Sequence, residues 1–494
     1  MDLSSRLRAI VKGGPPKPLR ELTYEPDIGG YEAVMDLSRV GAILGGQPAE
    51  TAFGQCLVID RRYEADRFHG AIRIGDCEVE DFASLAILDP SLPAWDQTPV
   101  GQRASPVGID DSSTAQSAAW GQTPYGFVGA SAVQIDDRAQ NRDVELRTRR
   151  TIFIDLETTG LSGGAGTVAF LVGCGYFDLG AFQVRQFLLT SFAAERALLA
   201  AVADFFAGAD LIVTYNGKTF DVPVMETRWV FHRLQMPLED VPHFDMLHPA
   251  RRLWRIRGGA PGDVEGCRLT TLERTLFNVN RVGDVPGLEI PGRFFRFLRS
   301  GDPRPLEPVL EHNRLDLVSL AAVMARGVQL ARDGQHACRD SAEALALGRV
   351  YERAGMDDRV RERADALARA EACYGRAAES RTAEVKGEAL YRLALRHRRE
   401  RRFEQAAAIW RQVIELTEPR GVRRVAGLAE LRQFAAEALA IHHEHRDRDL
   451  ESAREIALFA LEEAAGRRAE GVRHRLARID RKIAKKTDAQ LLWS

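Results

Sequence analysis

Thr151-Ile-Phe-Ile-Asp-Leu-Glu-Thr-Thr-Gly-Leu161 is an apolar run that carries two acids and ends in turn residues. It reads as a buried β-strand. Side chains two apart on a strand point to the same face, so Asp155 and Glu157 project together. Two carboxylates on an otherwise hydrophobic strand are costly unless something positive neutralises them. A divalent cation suits that position, because hard cations prefer carboxylate oxygen.

Two further segments supply acids. In Leu211-Ile-Val-Thr-Tyr-Asn-Gly-Lys-Thr-Phe-Asp-Val-Pro-Val-Met225 a short apolar strand runs into the turn signal Asn216-Gly217, and Asp221 follows near the start of an amphipathic helix. Glu311-His-Asn-Arg-Leu-Asp-Leu-Val-Ser-Leu320 has a helical pattern, and His312 and Asp316, four apart, share one helix face. Three segments spread over about 160 residues thus offer four carboxylates, with a histidine one turn from the last.

This ordered set resembles the DEDD (DnaQ-like) 3′–5′ exonucleases, which have a ribonuclease-H-like fold. Their Asp-x-Glu motif corresponds to Asp155 and Glu157, followed by Thr158-Thr159-Gly160. Their Asn-x-x-x-x-Asp segment corresponds to Asn216 through Asp221, and their final Tyr or His before Asp to His312 and Asp316. The stretches Leu161-Ser-Gly-Gly-Ala-Gly-Thr167, Tyr215-Asn-Gly-Lys-Thr-Phe-Asp221 and Asp245-Met-Leu-His-Pro-Ala-Arg-Arg-Leu-Trp254 are similar to the YprB-type branch of bacterial ribonuclease-H-like proteins. The resemblance covers residues 148–330.

It implies hydrolysis of phosphodiester bonds in DNA or RNA from a 3′ end, with two Mg²⁺ or Mn²⁺ ions about 4 Å apart clamping the scissile phosphate. Asp155, Glu157, Asp221 and Asp316 would be the ligands, with Asp155 bridging. His312 departs from the family pattern: it is a histidine in the register of the tyrosine subclass, whereas the histidine subclass has one residue more. One residue of slip turns a helical side chain by about 100°. His312 is therefore expected to orient water or the phosphate, or to relay a proton, rather than act as a strong base. Spacing alone does not separate an exonuclease from an endonuclease.

Other candidates have plainer readings beside the functional one. Thr158, Gly160 and Asn216 flank the acids as substrate contacts. Lys218 is the one lysine between Lys17 and Lys386 in a chain that otherwise uses arginine, so it reads as a phosphate contact or a surface turn residue. Arg251 and Arg252, with Arg255 around Trp254, would follow a nucleic-acid backbone or form a solvated helix face. Asp245 reads as a helix cap or an outer support of the site rather than a ligand. Gly163, Gly164 and Gly166 would let backbone approach a terminal nucleotide or simply connect strands.

The chain has 494 residues, 45% of them hydrophobic, enough for two or three domains. A formal net charge of −2 argues against a tight non-specific nucleic-acid binder, while a cleft of four carboxylates lowers the charge locally. Six scattered cysteines without a Cys-x-x-Cys pair argue against zinc and against a disulfide framework. There is no apolar signal core or membrane-length stretch, so a cytoplasmic, membrane-free protein is expected.

Composition divides the chain into a loosely ordered leader (1–30), a small β-rich segment (31–90), a linker or long loop (91–147), an α/β ribonuclease-H-like domain with a mixed sheet flanked by helices (148–335), and an all-α region (336–485). Within the last, Ala370-Glu-Ala-Cys-Tyr374, Ala406-Ala-Ala-Ile-Trp410 and Ala453-Arg-Glu-Ile-Ala457 read as second helices of repeats. Their offsets are 36 and 47 residues, against about 34 in a regular tetratricopeptide array. Leu347-Gly-Arg-Val-Tyr351 and Leu390-Tyr-Arg-Leu-Ala394 read as first helices. The pattern resembles a degenerate tetratricopeptide array, which offers a concave surface for a protein or peptide; a non-repeating bundle is the plainer reading. Basic residues from Arg467 to Lys486 would instead guide nucleic acid. The competing function is an inactive nucleic-acid-binding scaffold whose repeats recruit a protein, against which the presence of all four acids speaks.

Overall fold

The computed structural model describes residues 35–93, 149–160, 166–254, 267–416, 426–464 and 466–491. The expected leader and most of the expected linker, with Gly163, Gly164 and Arg255, lie outside the described residues.

The chain enters through α1 (Leu37–Leu44), whose first turn is capped by the Asp36 carboxylate accepting from Ser38 and Arg39 N–H. Strands β1 (Gln47–Thr51) and β2 (Gly54–Tyr63) follow, then the ribbon β3 (Phe68–His69) and β4 (Ile72–Arg73), and α2 (Ala83–Leu88). The α/β core is β5 (Thr151–Thr158), β6 (Ala169–Asp178), β7 (Ala181–Leu188), α3 (Glu195–Phe206), β8 (Leu211–Thr214), α4 (Asp221–Phe231), β9 (His243–Asp245), α5 (Leu247–Leu253), α6 (Leu269–Phe277), α7 (Ile290–Ser300) and the long α8 (Glu307–Asp333).

The main sheet has the order β1-β2-β7-β6-β5-β8-β9. Pairings on the β1 side of β5 are antiparallel, whereas β5-β8 and β8-β9 are parallel. The mixed sheet flanked by helices is as expected. The strands of the β-rich N-terminal segment divide between two sheets: β3 and β4 form a separate two-stranded ribbon, whereas β2 pairs with β7 from Leu57↔Leu188 to Tyr63↔Phe182 and so extends the main sheet.

Alternation along β5 sorts its residues between two cores. Ile152, Ile154 and Leu156 face one core with Phe206, Trp229, Phe294 and Phe297 from the covering helices. Phe153 faces the other, built on Leu317, Val318, Ala321 and Met324 of α8. Asp155 and Glu157 continue the Phe153 face, toward α8.

Beyond α8 the described residues are helical. Helices α9 (Ser341–Gly355), α10 (Arg363–Ala378), α11 (Ala383–Arg399), α12 (Phe403–Leu416), α13 (Ala426–His442), α14 (Leu450–Glu463) and α15 (Gly466–Leu491) each pack on the next. Gly348 on α9 leaves the space that the fully buried Tyr374 ring of α10 fills. No described helix is long and apolar enough to cross a membrane.

Candidate active site

Each acid is delivered by a different local device. Asp155 and Glu157 stand on β5 beside an irregularity in its pairing with β6 between Glu157 and Thr158. Asp221 is the first residue of α4, and its carboxylate accepts hydrogen bonds from its own N–H and from that of Leu156, which fastens it to β5. Asp316 comes from α8, one turn after His312.

The carboxylates feel one another. Burial, then the charges of Asp316, Glu157 and Asp221, hold the Asp155 carboxyl well above the usual range. Burial and then Asp316, Asp221 and Asp284 do the same to Glu157. Asp221 is pushed up to about 7, chiefly by burial, with its two backbone hydrogen bonds opposing and Asp245 adding to the rise. Four acids from three segments therefore face a common space with an excess of negative charge. An all-oxygen donor set of this kind fits hard divalent ions such as Mg²⁺ or Mn²⁺.

Several residues that the sequence did not single out organise this space. Asn313 is fully buried; its Nδ2 donates to the backbone oxygen of Asp155 at 3.0 Å and to its Oδ2 at 2.8 Å. Asn313 Oδ1 accepts from Gln186 Nε2 at 2.8 Å, and that nitrogen also donates to the Leu310 carbonyl. Gly173, paired with Asp155 across β5 and β6, has no side chain, and any β-carbon there would collide with the Asn313 amide.

Arg281, with 5% of its side chain exposed, brings a cation to the site. It reaches Asp316 Oδ1 at 2.5 Å, Glu273 at 2.7 Å and Asp284 at 3.4 Å. Burial opposes its charge, but Asp316 and Glu273 outweigh burial and raise its proton affinity. Glu273 in turn accepts from Ser319 Oγ, which lies 2.9 Å from His69 Nε2 of the N-terminal ribbon. His312 sits between two acids, with Nδ1 at 2.6 Å from Asp284 and Nε2 at 3.6 Å from Asp316.

The remaining candidates are placed as follows. Asp245 is fully buried and accepts from the N–H groups of Asn216, Lys218 and Leu247, so it shapes the turn before Asp221. Asn216 takes a left-handed conformation there, φ 72°. The Lys218 ammonium pairs with Asp89 at 3.2 Å. Thr158 Oγ1 donates to the Gly160 carbonyl. Gly166 has open space where a β-carbon would stand. Arg252 donates to the Leu88 carbonyl, and Arg251 and Arg252 line a groove of about 1330 Å³ with Trp254, Arg339 and Arg349, which none of the four acids lines.

Residues 152–327 match a family model of the RNase_H superfamily, RNase_H_2. The α/β half is a ribonuclease-H-like domain. The chain is 29% identical over 338 residues to the uncharacterized protein YprB of Bacillus subtilis (strain 168), a match covering 67% of this chain and 75% of that one. Among solved structures, the family B DNA polymerase from the hyperthermophilic archaeon Pyrobaculum calidifontis is similar over 42% of this chain, with a TM-score of 0.29 and 12% identity. The matched part spans 29% of that polymerase. The ribonuclease-H-like domain contains all four acids, Asn313 and Arg281.

Proposed function

We propose that the protein is a metal-dependent nuclease, a 3′–5′ exonuclease acting on DNA or RNA through two Mg²⁺ or Mn²⁺ ions. The observation that supports this reading is the meeting of β5 and α8 at the acids: Asn313, three residues before Asp316 on α8, holds the Asp155 carboxylate at 2.8 Å, and the charges of Asp316, Glu157 and Asp221 all push the Asp155 carboxyl upward. These four would be the metal ligands. When bound, the ions would activate water and stabilise charge on the scissile phosphate.

The chain's own residues do the rest. Asn313 fixes the rotamer of Asp155 by donating to its Oδ2, which leaves Oδ1 to ligate. Arg281 steers Asp316 and offsets part of the negative charge. His312, held by Asp284 on one nitrogen, presents the other toward Asp316, where it can take up and pass on a proton. Thr158, Gly160 and Asn216 supply polar groups near the strand end for the terminal nucleotide.

For residues 336–485 we favour a degenerate tetratricopeptide array with a protein or peptide partner in the cytoplasm. The alternation of helices supports it, as does the seating of the residues expected in second helices on α10, α12 and α14. The basic stretch near the end is a weaker nucleic-acid guide, since Arg475 and Lys482 both bind the buried Glu444.

Product analysis tests the polarity. Nucleoside 5′-monophosphates released from a free 3′ end, and lost when that end is blocked, are expected. Cleavage that persists on blocked substrates overturns the exonuclease in favour of an endonuclease.

A further inference from the structure

The helical half holds a second group of ligating side chains. Glu404 lies in the first turn of α12, His442 ends α13, and Asp447 ends the π-turn His443–Asp447 that leads into α14. His442 Nε2 is 3.2 Å from Asp447 Oδ1 and 3.7 Å from Glu404 Oε2. The three ligand atoms all lie within 4.8 Å of one another, the one trio of His, Cys, Asp and Glu groups among the described residues that does so.

A second observation is independent of this clustering. The His442 side chain is 3% exposed, yet its Nε2 has no aligned hydrogen-bond partner. It is aimed at two carboxylates without bonding to either. Around a tetrahedral zinc ion, ligand atoms about 2.0–2.2 Å from the metal stand roughly 3.3–3.5 Å apart. The two distances at His442 bracket that spacing. His443 adds a nitrogen, Nδ1, 2.7 Å from Asp447 Oδ2 and likewise without an aligned bond. Of the two arginines that flank Asp447 in sequence, Arg446 lies over the Phe403 ring, 3.8 Å from its centre.

We propose that Glu404, His442 and Asp447 bind a divalent transition ion of the zinc class, separate from the ions of the acidic cleft. Two carboxylates and a neutral imidazole match a dication in charge. The imidazole favours zinc, nickel or copper over magnesium, whereas the cleft acids offer oxygen alone. His443 stands against the second oxygen of Asp447, the place of an outer partner that orients a ligand. The ion would tie the start of α12 to the end of α13 and the turn before α14, fixing how these helices meet.

The test uses the full-length protein, stripped with chelator and held in excess Mg²⁺ so that hard-oxygen sites are filled. Zn²⁺ is titrated calorimetrically, and Co²⁺ is followed by visible absorption. Wild type is expected to take up one equivalent more Zn²⁺ than an E404Q/D447N double variant, and to show tetrahedral cobalt bands that the variant lacks. Melting temperature should rise with Zn²⁺ in wild type only. Equal stoichiometry and equal thermal response in the two proteins overturn the site. Should the double variant not fold, the wild-type cobalt spectrum decides alone, and absence of tetrahedral bands overturns the proposal.

Discussion

The Asn313 side chain binds Asp155 twice, through the backbone oxygen and through the carboxylate Oδ2. One amide thus sets both the strand position and the rotamer of the acid that leads the first motif. Asn313→Ala removes this hold and one of the two acceptors of Gln186 Nε2. We expect kcat to fall by about 10–100-fold with a smaller change in KM. Steady-state kinetics on a labelled oligonucleotide decides; an unchanged kcat means Asp155 needs no support.

Gly173→Ala should act through the same amide. Its methyl group would occupy the position of the Asn313 side chain, so losses from G173A and N313A should be strongly non-additive. A double-mutant cycle on kcat measures this directly. Additive effects would show that Gly173 matters for some other reason.

Arg281 neutralises three acids from a position almost closed to solvent. Arg281→Met strands Glu273 and Asp316, and removing one partner of such a buried pair costs about 3–5 kcal/mol. Urea unfolding should show a loss of that order in metal-free protein, reduced when Mn²⁺ is added. A loss under about 1 kcal/mol would mean that the pair is effectively solvated.

The pH response has a definite sign. Asp221 titrates near 7 in the fold, against about 3.9 when unfolded. Between these values the native state keeps a proton that the unfolded chain has released, so metal-free stability falls as pH rises across this window. Asp221→Asn removes this contribution. The melting temperature of wild type relative to D221N should therefore drop between about pH 4 and pH 7, and Mg²⁺ or Mn²⁺ should restore it at the upper end. A difference that stays flat across the window contradicts the assignment.

The four acids of the candidate site were legible because their constraints are local: period two on a strand, a helix start, and period four on a helix. The organising residues were not, because their roles come from tertiary crossings. Asn313 was in view beside His312, but its burial depends on α8 crossing β6 at a glycine. Gln186 did leave a signal, a polar residue in the alternating register otherwise held by Phe182, Val184 and Leu188 on the strand Ala181–Leu188. Arg281 and Asp284 lie between helices in a segment whose own pattern shows nothing of Asp316. The pairing of the edge strands was not legible for a related reason. Residues 40–90 read as strands from composition, yet a strand's periodicity does not say which partner it pairs with, and β7 is more than a hundred residues away. Lys218 stood out by composition; its ammonium turned out to serve Asp89 of that N-terminal segment.

The central claim is tested most directly by incubating 5′-labelled single-stranded DNA and RNA with full-length protein and Mg²⁺ or Mn²⁺, beside Asp155→Ala. A ladder shortening from the 3′ end is expected with one of the substrates, absent from the variant and abolished by chelator. Intact substrate with well-folded, metal-loaded wild type, or equal degradation by the variant, would contradict it and favour a scaffold that binds nucleic acid without cutting it.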